Sequence, residues 1–362
     1  MTYTIQDVAN RAGVSIATVS KVLNNKMYVS PATREKVLRI VKELNYSPNV
    51  SAASLAKRAT KNILYADSFY KGLPFQNPHM FDIICGAEHE LSRRGYHLTL
   101  LNFSDHGKEI EQILEDAIVS RSADGMIING SFITPSIERL LLQHDFPQIC
   151  IGQPEFDSII SWMDTNNALS ANIAVEKLLE SGCRRIAYMG GQKEDKIFLD
   201  RLRGFHLAAQ KNNLDIPEGY IIYNEPDIDA ICSSALGLLE LPERPDGIIC
   251  TNSLMTVGTM QAIAQKGIRM PEELSLIAFD DYPYTPLLSP KPTVIEIDLF
   301  SLGVHAAAQL LRKIKDPAML IQTYTALPRM IQRETTKQRN QQNHHALLRL
   351  FFFHIFIFCS GK

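Results

Sequence analysis

No Cys-x-x-Cys pair occurs among the six cysteines, which are scattered along 362 residues. That excludes the closely paired thiols of zinc ribbons and redox motifs, and Cys150 and Cys250, inside apolar runs, read as buried reduced thiols. No cluster of His, Cys and acidic residues suggests a metal site; His344-His345 is an isolated pair. No nucleophile elbow, P-loop or paired-carboxylate signature is present, so neither catalytic residues nor a cofactor are expected. No secretion signal is seen, which predicts a cytoplasmic protein. The apolar stretch 346–359 holds 14 residues and includes Arg349 and His354. It is too short to span a membrane, and without heptad spacing it is no coiled coil.

What the chain does have is a charge asymmetry hidden by its overall balance. Residues 1–61 carry ten Lys or Arg against Asp7, Glu35 and Glu43, a net of +7. The whole chain is −2, so residues 62–362 carry −9. A basic head on an acidic body is the footprint of a module that meets phosphate, attached to one that does not.

The head reads as three short helices. Thr4 can cap a first helix over 5–12, with Ile5, Val8, Ala9 and Ala12 on one face and Gly13 as its stop. Ser15 can cap a second over 16–24, with Val19, Val22 and Leu23 inward. Pro31 opens a third over 32–44, with Val37, Leu38, Val41 and Leu44 inward. Two short helices joined around a Gly form a helix-turn-helix, whose second helix enters the major groove of DNA. There Lys21 can donate to guanine O6 or N7, while Ile16 and Ala17 offer only apolar contact. Thr4, Ser15, Thr18, Ser20, Asn24 and Thr33 are candidates for phosphate contacts, each alternatively a helix cap or a solvated hydroxyl.

The body alternates short apolar runs with amphipathic stretches. Strands are predicted at 62–66, 97–102, 125–129, 148–152, 185–190, 247–251 and 274–279. Helices are predicted at 80–94, 108–120, 167–181, 198–212, 228–239, 254–266 and 299–314. This alternation predicts parallel sheets with helices on both faces. The runs DGMIING from Asp124 and DGIICTN from Asp246 hint at two lobes of similar build.

The strings AxxAGVSxxTVSxVLN (9–24), VSxxTRxKV (29–37) and LNYxPNxxAxxL (44–55) resemble the amino-terminal signature of the lactose-repressor-type (LacI/GalR) family of bacterial transcription regulators. The match is dense over the head and thinner to about residue 338. The resemblance implies a fold: an all-α helix-turn-helix head and an α/β two-lobed, periplasmic-binding-protein-like body with parallel sheets. It implies that Ile16, Ala17 and Lys21 read bases. It also implies paired hinge helices in the minor groove, with Leu55 wedged between base steps; a plain linker is the other reading of that stretch. The domains expected are 1–47 for DNA binding, 48–61 as hinge, 62–338 as effector-binding and dimerisation body, and 339–362 as an atypical tail. Chain crossings near 161, 290 and 321 would give lobe 1 about 62–160 and 291–320, and lobe 2 about 161–290 and 321–338.

The family's effector contacts fall on Arg201, Asn252 and Asp280, at the strand-end cleft where ligands of such sheets bind. On lobe 1, His79 and Met80 stand where the family often has Phe-Phe, and are expected to face the cleft. Ser253 replaces a usual acid. A guanidinium, an amide and a carboxylate suit a polyol, so the expected effector is a sugar or sugar derivative. Arg201 could instead form a surface ion pair with Asp200 or Asp195, and Asp280 could instead cap a turn. The expected function is a homodimeric repressor that binds double-stranded operator DNA under small-molecule control, with no membrane partner. The alternative is a periplasmic-type sugar-binding receptor without a DNA role, which has no use for residues 1–58.

Overall fold

The computed structural model describes residues 5–23, 29–44, 59–73, 77–104, 107, 109–193, 195–281 and 284–337. The head is formed by α1 (Ile5–Ala12), α2 (Ile16–Leu23) and α3 (Pro31–Glu43). Val8, Ala9, Ala12, Val19, Val22, Val37, Ile40 and Leu44 make its core. Ser15 Oγ accepts the Thr18 amide at 3.1 Å and Ser30 Oγ accepts that of Thr33 at 3.2 Å, so both caps are closed locally. Leu38, expected inward, is 47% exposed, and Ile40 takes its place. The inward stripe of α3 runs 37, 40, 41, 44, in steps of three and four residues, and position 38 lies a hundred degrees from 37.

The body comprises two six-stranded sheets. In lobe 1, β1 (Asn62–Asp67), β2 (His97–Asn102), β3 (Gly125–Asn129), β4 (Gln148–Ile151) and β5 (Trp162–Thr165) are parallel neighbours. Helices α4 (His79–Arg93), α5 (Ile110–Val119) and α6 (Pro135–Gln143) belong to this lobe. Helix α7 (Asn167–Glu180) opens lobe 2, followed by β6 (Ile186–Gly190), α8 (Lys196–Lys211), β7 (Ile221–Tyr223) and α9 (Ile228–Leu239). Then come β8 (Gly247–Cys250), α10 (Ser253–Gln265), β9 (Ser275–Phe279) and β10 (Thr293–Glu296). The chain returns to lobe 1 with α11 (Leu299–Lys315) and β11 (Thr323–Ala326), and closes in lobe 2 with β12 (Arg329–Ile331), antiparallel to β10.

Each sheet is sandwiched between two apolar clusters, which is why the central strands are apolar on both faces. The repeated Asp-Gly runs have a shared job. Asp124 accepts the Thr60 and Lys61 amides ahead of β1, and Asp246 accepts the Arg184 and Arg185 amides ahead of β6. Thus 60 and 61, expected in the hinge, are tied to lobe 1.

The crossings also fall later than expected, between Thr165 and Asn167, between Glu296 and Leu299, and between Ala326 and Arg329. Residues 161–165 and 321–326 therefore belong to lobe 1, and 291–296 to lobe 2. Strands β5, β10 and β11 finish their hydrogen-bond ladders before the chain leaves a sheet, since an unpaired buried backbone would cost more than a later exit.

Candidate effector cleft and DNA-reading face

On the head, Ile16, Ala17 and Lys21 lie on the exposed side of α2, opposite buried Val19 and Val22. They form one face, as a groove-reading helix requires. The hydroxyls of Ser15 and Thr18 bond each other at 2.9 Å, and Thr33 bonds Ser30 at 2.8 Å. Ser15 is thus a cap, and the Thr18 and Thr33 hydroxyls each bond the hydroxyl of a capping serine. Ser20 is half-buried. Thr4, Asn24 and Leu55 lie outside the described residues, as do most of the expected hinge and the tail.

In lobe 2, Arg201 is only 7% exposed, so the surface ion pair with Asp200 or Asp195 is not formed. Asp200 pairs with Lys196 and Arg203, and Asp195 caps α8 through the Ile197 amide. The burial follows from spacing: Phe198, Arg201, Leu202, Phe205 and Ala208 share the inner face of α8. Gly204 allows α7 to approach closely, since a Cβ there would sit 2.1 Å from the Ala168 carbonyl oxygen. That approach brings Asn167 Oδ1 to 3.0 Å from Arg201 Nε. Arg201 Nη1 also donates to the Thr251 carbonyl, and the guanidinium lies 4.5 Å from the centre of the Phe279 ring.

Asp280 follows β9 in a left-handed conformation, φ 71°, which Asp tolerates better than most residues. Its carboxylate lies 3.2 Å from His79 Nε2, so the pair joins the two lobes directly. Burial raises the Asp280 pKa, but the charges of His79 and Arg201 outweigh it and hold the carboxyl below its usual value. For His79, burial opposes the charge, yet Asp280 prevails and raises its pKa. Asn252 sits at the end of β8, where its Oδ1 caps α10 by accepting the Met255 amide at 2.9 Å.

Met80, expected to face the cleft, is turned instead into the lobe 1 core around Ile63, Tyr65 and Leu91. His79 opens α4, and the next residue is rotated by a hundred degrees, so the two cannot share a face. Trp162 packs against the lobe 1 core, and Phe69 tilts against Tyr65 with centroids 6.4 Å apart.

Sequence reasoning missed several polar groups at strand ends. Asp67 at the end of β1 accepts from Asn129 Nδ2 at the end of β3, at 3.1 Å. Burial raises the pKa of Asp67 and of Asp164 in β5. Their signal was positional: each is a polar residue at or next to the end of a short strand. A cavity of about 670 Å³ opens at the crossings, walled by His79, Asp82, Asp280, Glu296, Asp298 and Arg329 among others. Among the described residues no helix is long and apolar enough to cross a membrane, and no group of three or more His, Cys, Asp and Glu could hold a metal ion.

Comparison with known proteins covers both parts. Residues 4–49 match the family of bacterial regulatory proteins, lacI family, and residues 175–336 match a periplasmic binding protein-like domain. The HTH-type transcriptional repressor PurR of Vibrio atlanticus (strain LGP32) is 30% identical over 340 residues, covering 93% of this chain and 99% of the relative. The PurR of Vibrio vulnificus (strain CMCP6) is 29% identical over the same length. A transcriptional regulator CelR–cellobiose complex shares 25% identity and a TM-score of 0.68, covering 92% of this chain and 99% of that one. A lac repressor dimer bound to operator and the anti-inducer ONPF has the same fold, with a TM-score of 0.81 at 23% identity over 93% of this chain and 100% of that one. With head and body matched along nearly the whole length of a curated repressor, the chain belongs to the lacI family of bacterial regulatory proteins and is a DNA-binding transcription regulator.

Proposed function

We propose that this regulator is a cytoplasmic homodimeric repressor that reads a near-palindromic operator and is released or recruited by a small carbohydrate effector. The observation that carries the reading is the exposed Ile16–Ala17–Lys21 face, held on a three-helix core. One such face offers a single long polar side chain, so specificity needs two copies on half-sites spaced by the helical repeat. Leu55 would add a minor-groove wedge. Phosphate contacts from Thr4, Ser15, Thr18, Ser20, Asn24 and Thr33 would supply affinity; for Ser15, Thr18 and Thr33 this means giving up or sharing their present bonds. The effector would lie between lobes against Arg201, Asn252, Asp280 and His79, with Phe69 as an apolar surface; the relative caught with cellobiose supports that class. Neither an enzymatic activity nor a cofactor is needed for this role. A receptor for transport alone would leave the basic head without purpose.

Gel shifts of full-length protein at varied salt test the reading: affinity should fall steeply with salt, and an isolated half-site should bind much more weakly than the palindrome. Equal affinity for both would refute the dimeric mode. Lys21→Ala should cost about 1–3 kcal/mol at one operator position and relax base choice there. A loss equal across all sequences would make Lys21 a phosphate contact instead.

A further inference from the structure

The His79–Asp280 pair is the closest charge contact between the lobes among the described ion pairs, and it joins α4 of lobe 1 to the turn after β9 of lobe 2. It lines the cavity at the crossings with one partner on each lobe, so a change of lobe angle moves the partners relative to each other. Asp280 cannot easily follow His79, because it is fixed at a left-handed position and its amide donates to the Ile295 carbonyl at 3.0 Å. We propose that this pair is a proton-dependent latch: protonated His79 holds the lobes closed in the absence of effector, and its deprotonation frees them to open.

The surroundings determine the sign. Facing His79 are Asp280 from the turn after β9, Arg201 from α8, and Asp82 from its own helix, while Asp281 lines the same cavity with its carboxylate held by Arg333. Glu296, Asp298 and Arg329 line the same cavity from the crossings. Acids outnumber cations here, and the His79 pKa is raised despite burial and despite Arg201. A raised histidine stabilises the closed form fully below its ordinary value of about 6.5, and that contribution is lost as pH climbs through the raised value. Asp280, whose pKa is lowered, stays ionised throughout that window. The closed-to-open ratio should change by about tenfold for each unit by which the His79 pKa differs between the two forms. Histidine is suited to this because its charge changes near neutrality.

The test is small-angle scattering of ligand-free, full-length protein between about pH 5.5 and 8.5, with the thermal midpoint of each variant as a folding control. It needs neither DNA nor effector, so it stands or falls apart from the repressor reading. The radius of gyration of the parent should rise with pH along a one-proton curve. His79→Gln should remove that dependence and keep the larger radius at low pH, whereas His79→Lys should keep the smaller radius throughout. Asp280→Asn should flatten the curve as His79→Gln does, which covers the case where the first variant fails to fold. A pH profile shared by the parent and either neutral variant would overturn the latch.

Discussion

Gly303→Ala should lower the thermal midpoint of the body by about 4–8 °C, a net loss of about 2 kcal/mol. Helices α4 and α11 cross with their backbones nearly touching. A Cβ at Gly303 would lie 2.1 Å from the Ile83 carbonyl oxygen, and one at Gly86 would lie 2.0 Å from that of Phe300. Neither obstacle is a flexible side-chain end, so the helices must separate along a seam that also buries Leu302, Ala306 and Leu310. Alanine regains about 1 kcal/mol of helix propensity, but overpacking of about 3 kcal/mol exceeds it. Gly237 in α9 is the control: nothing lies within 4 Å of its added Cβ, so Gly237→Ala should leave the midpoint unchanged or raise it slightly. Calorimetry of both variants decides; an undiminished midpoint in Gly303→Ala would mean the helices are less tightly locked than their geometry implies.

Arg201→Ala should abolish the ligand response of operator binding and cost lobe 2 about 3 kcal/mol, while the ligand-free protein still binds DNA. The guanidinium serves two ends at once. It binds Asn167 and the Thr251 carbonyl inside lobe 2, and its charge helps keep Asp280 ionised. Removing it leaves buried acceptors without a donor and withdraws a cation from a buried carboxylate. Arg201→Lys should not restore function, because an ammonium cannot span both bonds and stack on Phe279. The measurement is operator binding titrated with a ligand found by thermal-shift screening. A normal response in Arg201→Ala would place the effector elsewhere.

The head was nearly complete in its sequence because its determinants are local: caps three residues from their targets and apolar residues at helical spacing. The exception, Leu38, shows the limit of that reading, since Ile40 and Leu38 are equally apolar and only the phase of the stripe separates them. In the body the central strands were legible as apolar runs. The short strands β7, β11 and β12 were not; the exposed, polar Thr323–Ala326 pairs with a strand more than 150 residues earlier, and no local pattern announces that. The cleft was legible one residue at a time but not as an arrangement. Arg201 and Asp280 were evident as polar groups beside apolar runs, whereas Asn167 as the partner of Arg201, and His79 as the partner of Asp280, depend on helix approach and lobe angle.

The three crossings dictate an order of assembly as the chain emerges from the ribosome. Lobe 1 has five of its strands by Thr165, yet its core on one face stays open until α11 arrives at Leu299. Lobe 2 in turn lacks its edge strand until Ile331. Lobe 1 therefore cannot close until the segment that forms lobe 2 has been made, whereas the buried cores of lobe 2 lie within residues 171–295 and draw only a short edge strand from the last stretch of the body. A chain stopped short of α11 would expose one apolar face of lobe 1, so that lobe should mature last although it is begun first, and it demands chaperone cover for most of synthesis.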